Sequence, residues 1–192
     1  AKWMFNKRIL DELEKNTVEV HYSNTESFKV TLVDTGVNSM TGGRIKRIQK
    51  HIGNEPFFLT YGDGLSDVNI NELIAFHKAH GKEATLTATY PPGRFGALEI
   101  MNNEVRQFQE KPRGDGALIN GGYFVCEPNV FDYINNGDTS VWEKEPLESL
   151  ASDGHLNLNF HDGFWKPMDS LKDKMDLNEL WNSGKADWKI WK

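Results

Sequence analysis

The order of apolar segments between residues 28 and 90 is the feature that most constrains the fold. Three apolar runs are typical of strands: FKVTLVDTG (28–36), FFLTYGDG and ATLTATY (84–90). Between them, NSMTGGRIKRIQKHI and INELIAFHKAH have apolar side chains at helical spacing, and Asn69 is expected to cap the second helix. Strand, helix, strand, helix, strand predicts βαβ units on a parallel sheet, with ligands at the carboxyl ends of the strands.

The second half of the chain has a more antiparallel pattern. ALEIMNNEVRQFQEKP predicts a hairpin turning at Asn102-Asn103, and ALINGGYFVCEP predicts another strand. NVFDYI, WEKEPLESLAS and SLKDKMDLNELWNSGK predict helices, and HLNLNFHDGFW predicts an edge strand. Near the start, NKRILDELEK suggests a helical turn or two and TVEVHYS a short strand. We therefore expect one α/β domain over residues 1–192 with an antiparallel C-terminal half.

Composition excludes several classes of partner. The formal net charge of -6 argues against nucleic acid and anionic membranes, which select clustered Lys and Arg. Cys126 is the one cysteine, which favours a reducing compartment, and it is expected to be a small buried side chain rather than a nucleophile. No run approaches the roughly 18 apolar residues of a membrane span, and no signal-peptide pattern opens the chain. These features predict a cytoplasmic protein.

Two aspartates are candidate metal ligands. Asp63 lies between two glycines at the end of an apolar run, so it is either a turn residue or a ligand of a hard divalent cation. Asp169 follows FWKPM and precedes a predicted helix, so it is either an ordinary N-cap or a second ligand. From the residues alone, both alternatives remain open at both positions.

Other polar positions have two interpretations each. Glu110 and Lys111 end a predicted strand and could contact a phosphate or a sugar hydroxyl, or form an exposed charge pair. Asn120 precedes two glycines in an otherwise apolar strand, which indicates a bulge or a close approach of the backbone to something. Gly96, in the turn PPGRFGAL, could serve the same purpose. His77 and His80, three residues apart on a predicted helix, are expected to be surface residues.

Six segments in one order resemble a known family. They are VDTGVNSMTGGRIKR, TYGDGLSD, PPGRFGALEI, FQEKPRGDGALINGGYF, WEKEPLESLA and FWKPMDSLKD. Together they resemble sugar-1-phosphate nucleotidyltransferases, in particular the group that makes CDP-glucose and pyrophosphate from CTP and glucose 1-phosphate. The resemblance implies a Rossmann-like, GT-A-like three-layer sandwich, dependence on Mg²⁺, and a place in deoxysugar and O-antigen-type polysaccharide synthesis.

The resemblance also implies roles for individual residues. Asp63 and Asp169 match the two aspartates that hold Mg²⁺, and Lys111 matches a lysine at the sugar phosphate; these three are the implied catalytic residues. The positions implied to border the nucleotide or bind the glucosyl phosphate are Ser39, Gly42, Gly43, Arg44, Gly62, Gly96, Glu110, Asn120 and Gly121.

One departure from the family pattern limits the expected activity. Family members carry a loop of the form G-G-x-G-T-R after their first strand, which cradles the triphosphate, and these 192 residues contain no such loop. We therefore expect an N-terminally truncated form in which the first βα units are missing, with little transferase activity as this chain alone.

Alternative functions remain open from the sequence. A related enzyme could use UTP or dTTP in place of CTP. A fragment without catalysis could serve as a sugar-phosphate-binding or oligomerisation module, and a metal-dependent phosphatase is a weaker alternative because few acids surround Asp63. Six tryptophans, three of them near the C-terminus, could pack a homo-oligomer interface or dock the terminus onto its own domain.

Overall fold

The computed structural model describes residues 9–12, 17–20, 30–91, 93, 97–110 and 117–190, which fall into two compact units. The first unit, Ala1–Asp34, contains the antiparallel strands β1 (Ile9–Glu12) and β2 (Thr17–Val20). The strand predicted from TVEVHYS is confirmed. The helical turn predicted from NKRILDELEK is wrong over Ile9–Glu12, because the β-branched TVEV segment provides these residues with a pairing partner.

The second unit, Thr35–Lys192, contains most of the secondary structure. No helix in the described part of the chain is long and apolar enough to cross a membrane. Two short 3₁₀ helices, Pro128–Tyr133 and Gly137–Thr139, also lie in this unit. Its other elements, in chain order, are α1 (Thr41–Ile52), β3 (Phe57–Thr60), β4 (Gly64–Ser66), α2 (Ile70–His80), β5 (Ala84–Thr89), β6 (Ala97–Met101), β7 (Glu104–Gln109), β8 (Ile119–Cys126), α3 (Glu145–Ser152), β9 (Leu156–Phe160), β10 (Trp165–Pro167) and α4 (Leu171–Asn182).

Strands β3, β8, β5 and β9 form one sheet in that order. Strands β3 and β5 run in the same direction, as the βαβ pattern predicts, but β8 lies between them and is antiparallel to both. Strands β5 and β9 are parallel neighbours. The α/β class and the more antiparallel second half are confirmed, but the predicted parallel pairing of β3 with β5 is wrong because the apolar β8 inserts between them. The edge position predicted for β9 is confirmed.

Helices cover both faces of this sheet. On one face, Ala84 of β5 belongs to the buried cluster that includes Ile45 of α1 and Leu150 of α3. On the other face, Thr85 contacts His77 of α2 at 2.7 Å. Because successive strand side chains point to opposite faces, the alternation along β5 places helices on both sides of the sheet. The three-layer arrangement predicted by the resemblance is confirmed.

The strand predicted over residues 28–36 is wrong in its described part. Residues 30–36 form neither strand nor helix, and Val30 and Leu32 are 54% and 77% exposed. A strand needs a neighbour for its backbone hydrogen bonds, and no strand in the described part of the chain pairs with this segment. The apolar run alone contains no information about whether another strand is available for pairing.

The predicted turns and caps are confirmed. Asn69 caps α2, since its side-chain oxygen accepts hydrogen bonds from the backbone of Asn71 and Glu72. Asn102 and Asn103 adopt left-handed φ angles of 52° and 65° between β6 and β7, as expected for a two-residue hairpin turn. Asparagine tolerates this backbone conformation better than most residues do, which explains why the NN pair indicated the turn.

Cys126 ends β8 inside the core and is 0% exposed. Burial raises the pKa of its thiol to about 12, so the thiol is protonated at neutral pH and is a poor nucleophile. Its predicted structural role is confirmed.

Strand β8 bulges where it passes Gly121 and Gly122. Leu86 of β5 pairs with Phe124, whereas Ala88 pairs with Asn120, so one residue of β5 faces three residues of β8. Gly122 has a φ of 79°, and a Cβ added there would lie 2.6 Å from the ring of Tyr61. Both the backbone angle and the close approach require glycine here, which confirms the bulge predicted from the sequence.

Comparing Gly122→Ala with the control Gly154→Ala separates the cost of the left-handed backbone angle from the cost of the close approach of Tyr61. Gly154 has a similar φ of 75°, but an added Cβ would meet nothing within 4 Å. We expect Gly154→Ala to lose about 1 kcal/mol from the left-handed backbone alone, and Gly122→Ala to lose about 3 kcal/mol because the Tyr61 ring must also move. Urea unfolding measures both losses, and equal losses would contradict the packing argument.

His77 is buried at 3% exposure and His80 is half-buried, so the prediction that both are surface residues is wrong. The backbone N–H of Lys82 donates to Nδ1 of His80 (3.0 Å), so the neutral His80 ring carries its hydrogen on Nε2, which lies 2.6 Å from the Thr85 hydroxyl. The Thr85 hydroxyl can then donate to Nδ1 of His77 (2.7 Å). Nε2 of His77 lies 3.2 Å from a carboxylate oxygen of Glu127. In this series of side-chain contacts, each hydrogen bond fixes the direction of the next.

These hydrogen bonds require a neutral His80 ring. A proton on Nδ1 would point at the backbone N–H of Lys82, from which Nδ1 accepts a hydrogen bond. Burial and the charges of His77 and Lys82 lower the pKa of His80 below its usual 6.5. The neutral His80 ring therefore stabilises the folded state fully above the unfolded-state pKa of about 6.5. This stabilisation is lost as the pH falls from that value through the lowered folded-state pKa of His80.

Acid should therefore destabilise the wild-type protein more than a variant without this imidazole. We expect the melting temperature of His80→Gln to fall less between pH 7.5 and pH 5 than that of the wild type. His51→Gln is the matched control, since His51 is exposed near the end of α1. Thermal melts across this pH range make the comparison, and parallel curves for wild type and His80→Gln would refute the role of His80.

Candidate active site

A cleft of about 710 Å³ opens at the end of the sheet where β3 ends and β8 begins. Its wall is built from the turn after β3, the bulged start of β8, the first turn of α1 and the segment around β10. The lining residues are Thr41, Thr60, Tyr61, Gly62, Asp63, Gly64, Pro91, Ile119, Gly121, Gly122, Glu143, Trp165, Pro167 and Asp169. The position agrees with the expectation that ligands bind at the carboxyl end of β3.

Asp63 and Asp169 both line this cleft, although they are distant in sequence. They are brought together by the antiparallel pairing of β4 with β10, in which Gly64 lies opposite Pro167. The next position is also paired, since the backbone N–H of Met168 donates to the carbonyl of Asp63 at 2.8 Å. The structure therefore places the two predicted metal ligands on neighbouring segments that face one cleft.

The local structure bears on the alternative interpretations of the two aspartates. Helix α4 is capped by Ser170, whose hydroxyl accepts from the backbone of Asp173 in a capping box, so Asp169 is not the N-cap. Asp63 does lie in a turn, but a Cβ on Gly64 would meet nothing within 4 Å. The space beside Asp63 is therefore open to a ligand, which a purely structural turn does not require.

A chain of side-chain hydrogen bonds runs along the cleft wall. The Tyr61 hydroxyl donates to Oε1 of Glu143 at 2.6 Å and accepts from Nδ2 of Asn120 at 3.2 Å. The Thr41 hydroxyl donates to Oε2 of Glu143 at 2.7 Å and accepts from the backbone N–H of Trp142 at 2.9 Å. The chain therefore connects α1, the end of β3, the segment before α3 and the bulge of β8.

Tyr61 remains protonated in this environment. Burial raises the pKa of its hydroxyl well above the ordinary value of 10, and the hydrogen bond and charge of Glu143 raise it further. A smaller contribution in the same direction comes from the charge of Asp63, while Asn120 lowers the pKa. The hydroxyl is thus a permanent donor toward Glu143 rather than a proton-transfer group.

Two further hydrogen bonds tie the bulge of β8 to the β4–β10 pair. Nε1 of Trp165 donates to the carbonyl of Gly121 at 2.7 Å, and the hydroxyl of Tyr123 donates to the carbonyl of Gly64 at 2.8 Å. One side chain of β10 and one of β8 therefore hold the bulge against the β4–β10 pair, beside the two aspartates.

The predicted nucleotide-loop residues lie beside the cleft, around the first turn of α1. Gly42 and Gly43 are buried, and added Cβ atoms would come within 2.9 Å of residues 137–140, so packing against this loop explains the absence of side chains. Arg44 is exposed and donates to Thr35 and to the carbonyl of Val37, and Ser39 is buried. Thr41 of the same turn does line the cleft, and nucleotide contact by its neighbours stays a prediction.

The predicted sugar-phosphate residues are placed only in part. Gly121 lines the cleft, and the Asn120 side chain is held by Tyr61 and by the Gly122 backbone, to which its Oδ1 bonds at 2.7 Å. Glu110 is exposed after β7. Gly96 and Lys111 lie outside the described residues. Gly62 lines the cleft beside Asp63, and the ligand contacts of all these positions stay predictions.

The cleft wall includes residues that the sequence did not indicate, among them Thr41, Tyr61, Glu143 and Trp165. Each lies inside a segment that carried the resemblance, and Thr41 and Tyr61 directly precede predicted site residues. Tyr61 ends an apolar run and Glu143 begins a charged one, so neither differed from an ordinary core or surface position. Their hydrogen bonds with each other depend on tertiary structure.

A metal ion at this site would take few protein ligands. Among the described residues, no three His, Cys, Asp or Glu side chains converge closely enough to form a metal site by themselves. Magnesium usually binds through one or two carboxylates together with water and substrate phosphates. The pair of Asp63 and Asp169 is therefore a donor set that fits Mg²⁺ in the presence of a phosphate ligand.

Known relatives extend over almost the whole chain. A glucose-1-phosphate cytidylyltransferase of Salmonella typhi is 57% identical over 180 residues, which are 93% of this chain and 70% of that protein. A mannose-1-phosphate guanylyltransferase catalytic subunit beta of Dictyostelium discoideum is 35% identical over 124 residues, 62% of this chain and 34% of the relative.

Solved structures agree in fold. The structure of a UDP-glucose pyrophosphorylase complexed with UDP-glucose superposes with a TM-score of 0.57 at 15% identity, covering 79% of this chain and 65% of that one. A family model described as nucleotidyl transferase matches residues 3–181. The chain therefore belongs to the nucleotidyl transferase family, and its relatives at 57% identity are glucose-1-phosphate cytidylyltransferases.

Proposed function

We propose that the cleft binds CTP and glucose 1-phosphate for Mg²⁺-dependent transfer of a cytidylyl group, giving CDP-glucose and pyrophosphate. The observation that carries the proposal is the placement of Asp63 and Asp169 on paired segments facing one cleft. The choice of CTP and glucose 1-phosphate is supported by the relatives that share 57% identity with this chain.

The residue types suit this reaction. A phosphate oxygen of glucose 1-phosphate forms a bond to the α-phosphorus of CTP while the bond from that phosphorus to the pyrophosphate oxygen breaks. The nucleophile is already an anion, so the site needs no strong general base, and catalysis depends on positioning and on neutralising charge. Lys111 is proposed at the sugar phosphate, and the glycines of the cleft wall allow phosphates to approach the backbone.

Asp63 and Asp169 are the residues that would hold Mg²⁺. When bound, the ion would neutralise charge on the phosphates and polarise the phosphorus that is attacked. The β4–β10 pairing fixes the backbone beside both aspartates, so they would present their carboxylates to the ion from defined positions.

The proposed product, CDP-glucose, indicates which kinds of reaction follow and where the enzyme works. CDP-glucose would be consumed by enzymes that modify or transfer its sugar, as in deoxysugar and polysaccharide synthesis. We propose a cytoplasmic location, for which one buried cysteine and no possible internal disulfide are consistent features.

Thermal stabilisation of the protein by nucleotide sugars tests which nucleotide base and which sugar the cleft binds, and it does not require turnover. We expect CDP-glucose with Mg²⁺ to raise the melting temperature more than UDP-glucose or dTDP-glucose at the same concentration, because the bound ligand stabilises the folded state. A larger rise in melting temperature with UDP-glucose would favour UTP over CTP as the nucleotide substrate. Binding of glucose 1-phosphate without any product from CTP would favour a module that binds sugar phosphates but does not catalyse the transfer.

Removing either aspartate should abolish the effect of Mg²⁺ on nucleotide binding. We expect Asp63→Asn and Asp169→Asn each to weaken Mg²⁺-dependent CTP binding by about tenfold or more, because an amide is a poor ligand for this cation. Asp132→Asn is the control, since Asp132 is exposed and lines a separate cleft. Isothermal titration with Mg²⁺ or with EDTA gives the comparison, and equal binding in all four proteins would refute the assignment.

A further inference from the structure

Glu143 is a carboxylate of the cleft that is held at both of its oxygens. Both of its oxygens accept short hydrogen bonds from hydroxyl groups, Oε1 from Tyr61 at 2.6 Å and Oε2 from Thr41 at 2.7 Å. The side chain is nevertheless exposed and lines the cleft. A carboxylate fixed at both oxygens and open to the cleft has lone pairs left for a bound molecule, because two oxygens offer about four acceptor sites.

The charge of Glu143 limits which part of a substrate can lie against it. Both proposed substrates carry phosphates, which a fixed carboxylate repels. Their sugar rings are uncharged and carry hydroxyl donors, which a carboxylate binds well. Apolar walls from Pro91, Ile119 and Trp165 line the same cleft and can pack against a ring.

The two groups that hold Glu143 are neutral hydroxyl donors rather than cations. The remaining acceptor sites of its two oxygens can therefore accept hydrogen bonds from hydroxyl groups of a ligand.

We propose that Glu143 is a specificity-determining residue that accepts hydrogen bonds from hydroxyl groups of a bound sugar, and that Tyr61 and Thr41 are its positioning residues. This inference rests on the proposed function and deepens it by naming a contact to the substrate. The sugar is either the hexose of glucose 1-phosphate or the ribose of CTP, which present the same donor chemistry.

Tyr61 is the more informative of the two positioning residues. Its hydroxyl donates to Oε1 of Glu143 at 2.6 Å, the shorter of the two bonds that hold this carboxylate. Its ring packs on Gly122 and its hydroxyl also accepts from Asn120. The orientation of Glu143 is therefore coupled to the bulge of β8 that holds Asn120 and Gly121.

Glu143→Gln tests the contact, because glutamine keeps the size of the side chain and removes its charge. We expect affinity for one of the two substrates to fall about tenfold to a hundredfold, as for the loss of a hydrogen bond to a charged group. Separate titrations with glucose 1-phosphate and with CTP, both with Mg²⁺, identify the sugar. Glu148→Gln, on the exposed side of α3, is the matched control.

Tyr61→Phe tests the positioning role. We expect a loss of about threefold to tenfold for the same substrate, since Glu143 remains but is held by one donor fewer. In the Glu143→Gln background, the same change should cost little further affinity, because Tyr61 acts through Glu143. A structural role alone would lower the melting temperature without this selective and non-additive loss.

The outcomes separate this inference from the proposed function. If the wild-type chain binds neither glucose 1-phosphate nor CTP, both proposals are overturned. If the wild type binds and Glu143→Gln binds both substrates equally well, the inference is overturned while the proposed function stands. Equal losses for both substrates would also overturn it, because they would reflect a general change of the cleft.

Discussion

The antiparallel pairing of β4 with β10 is the interaction on which the site depends. Each strand has three residues, too short to be stable alone; β4 directly follows Asp63, and β10 ends two residues before Asp169. The pair is held at its sides by Tyr123, which donates to the Gly64 carbonyl, and by Trp165, which donates to the Gly121 carbonyl. The geometry between Asp63 and Asp169 therefore rests on the bulge of β8 as much as on the pair itself.

The bulge of β8 in turn serves two purposes that only glycine can satisfy together. It turns the backbone of Gly122 into a left-handed conformation, and it lets the Tyr61 ring lie against the strand. Tyr61 then reaches Glu143 with its hydroxyl. A local irregularity of the sheet thus positions groups on three separate segments, which explains why the wall of the cleft is continuous although its residues are scattered along the chain.

Sequence reasoning recovered what depends on local chemistry. Asn69 as a cap, the Asn102-Asn103 turn and the glycines of β8 were predicted because backbone angles and hydrogen-bond donors select those residue types. It failed where the result depends on a distant partner. The segment from Val30 pairs with no strand in the described part of the chain, β8 inserts between β3 and β5, and Glu143 is held by its bonds to Thr41 and Tyr61. Periodicity contains no information about such partners.

The charge of the cleft determines how anionic substrates could enter it. Three carboxylates line it, those of Asp63, Glu143 and Asp169, and the described lining residues include no lysine or arginine. Phosphates placed here without compensation would be repelled. The two aspartates could be neutralised by a shared divalent cation, whereas Glu143 is held by two hydroxyl donors and keeps acceptor sites for further hydroxyl groups. A substrate that combines phosphates with an uncharged sugar ring could use both kinds of carboxylate, and glucose 1-phosphate and CTP are both of this type.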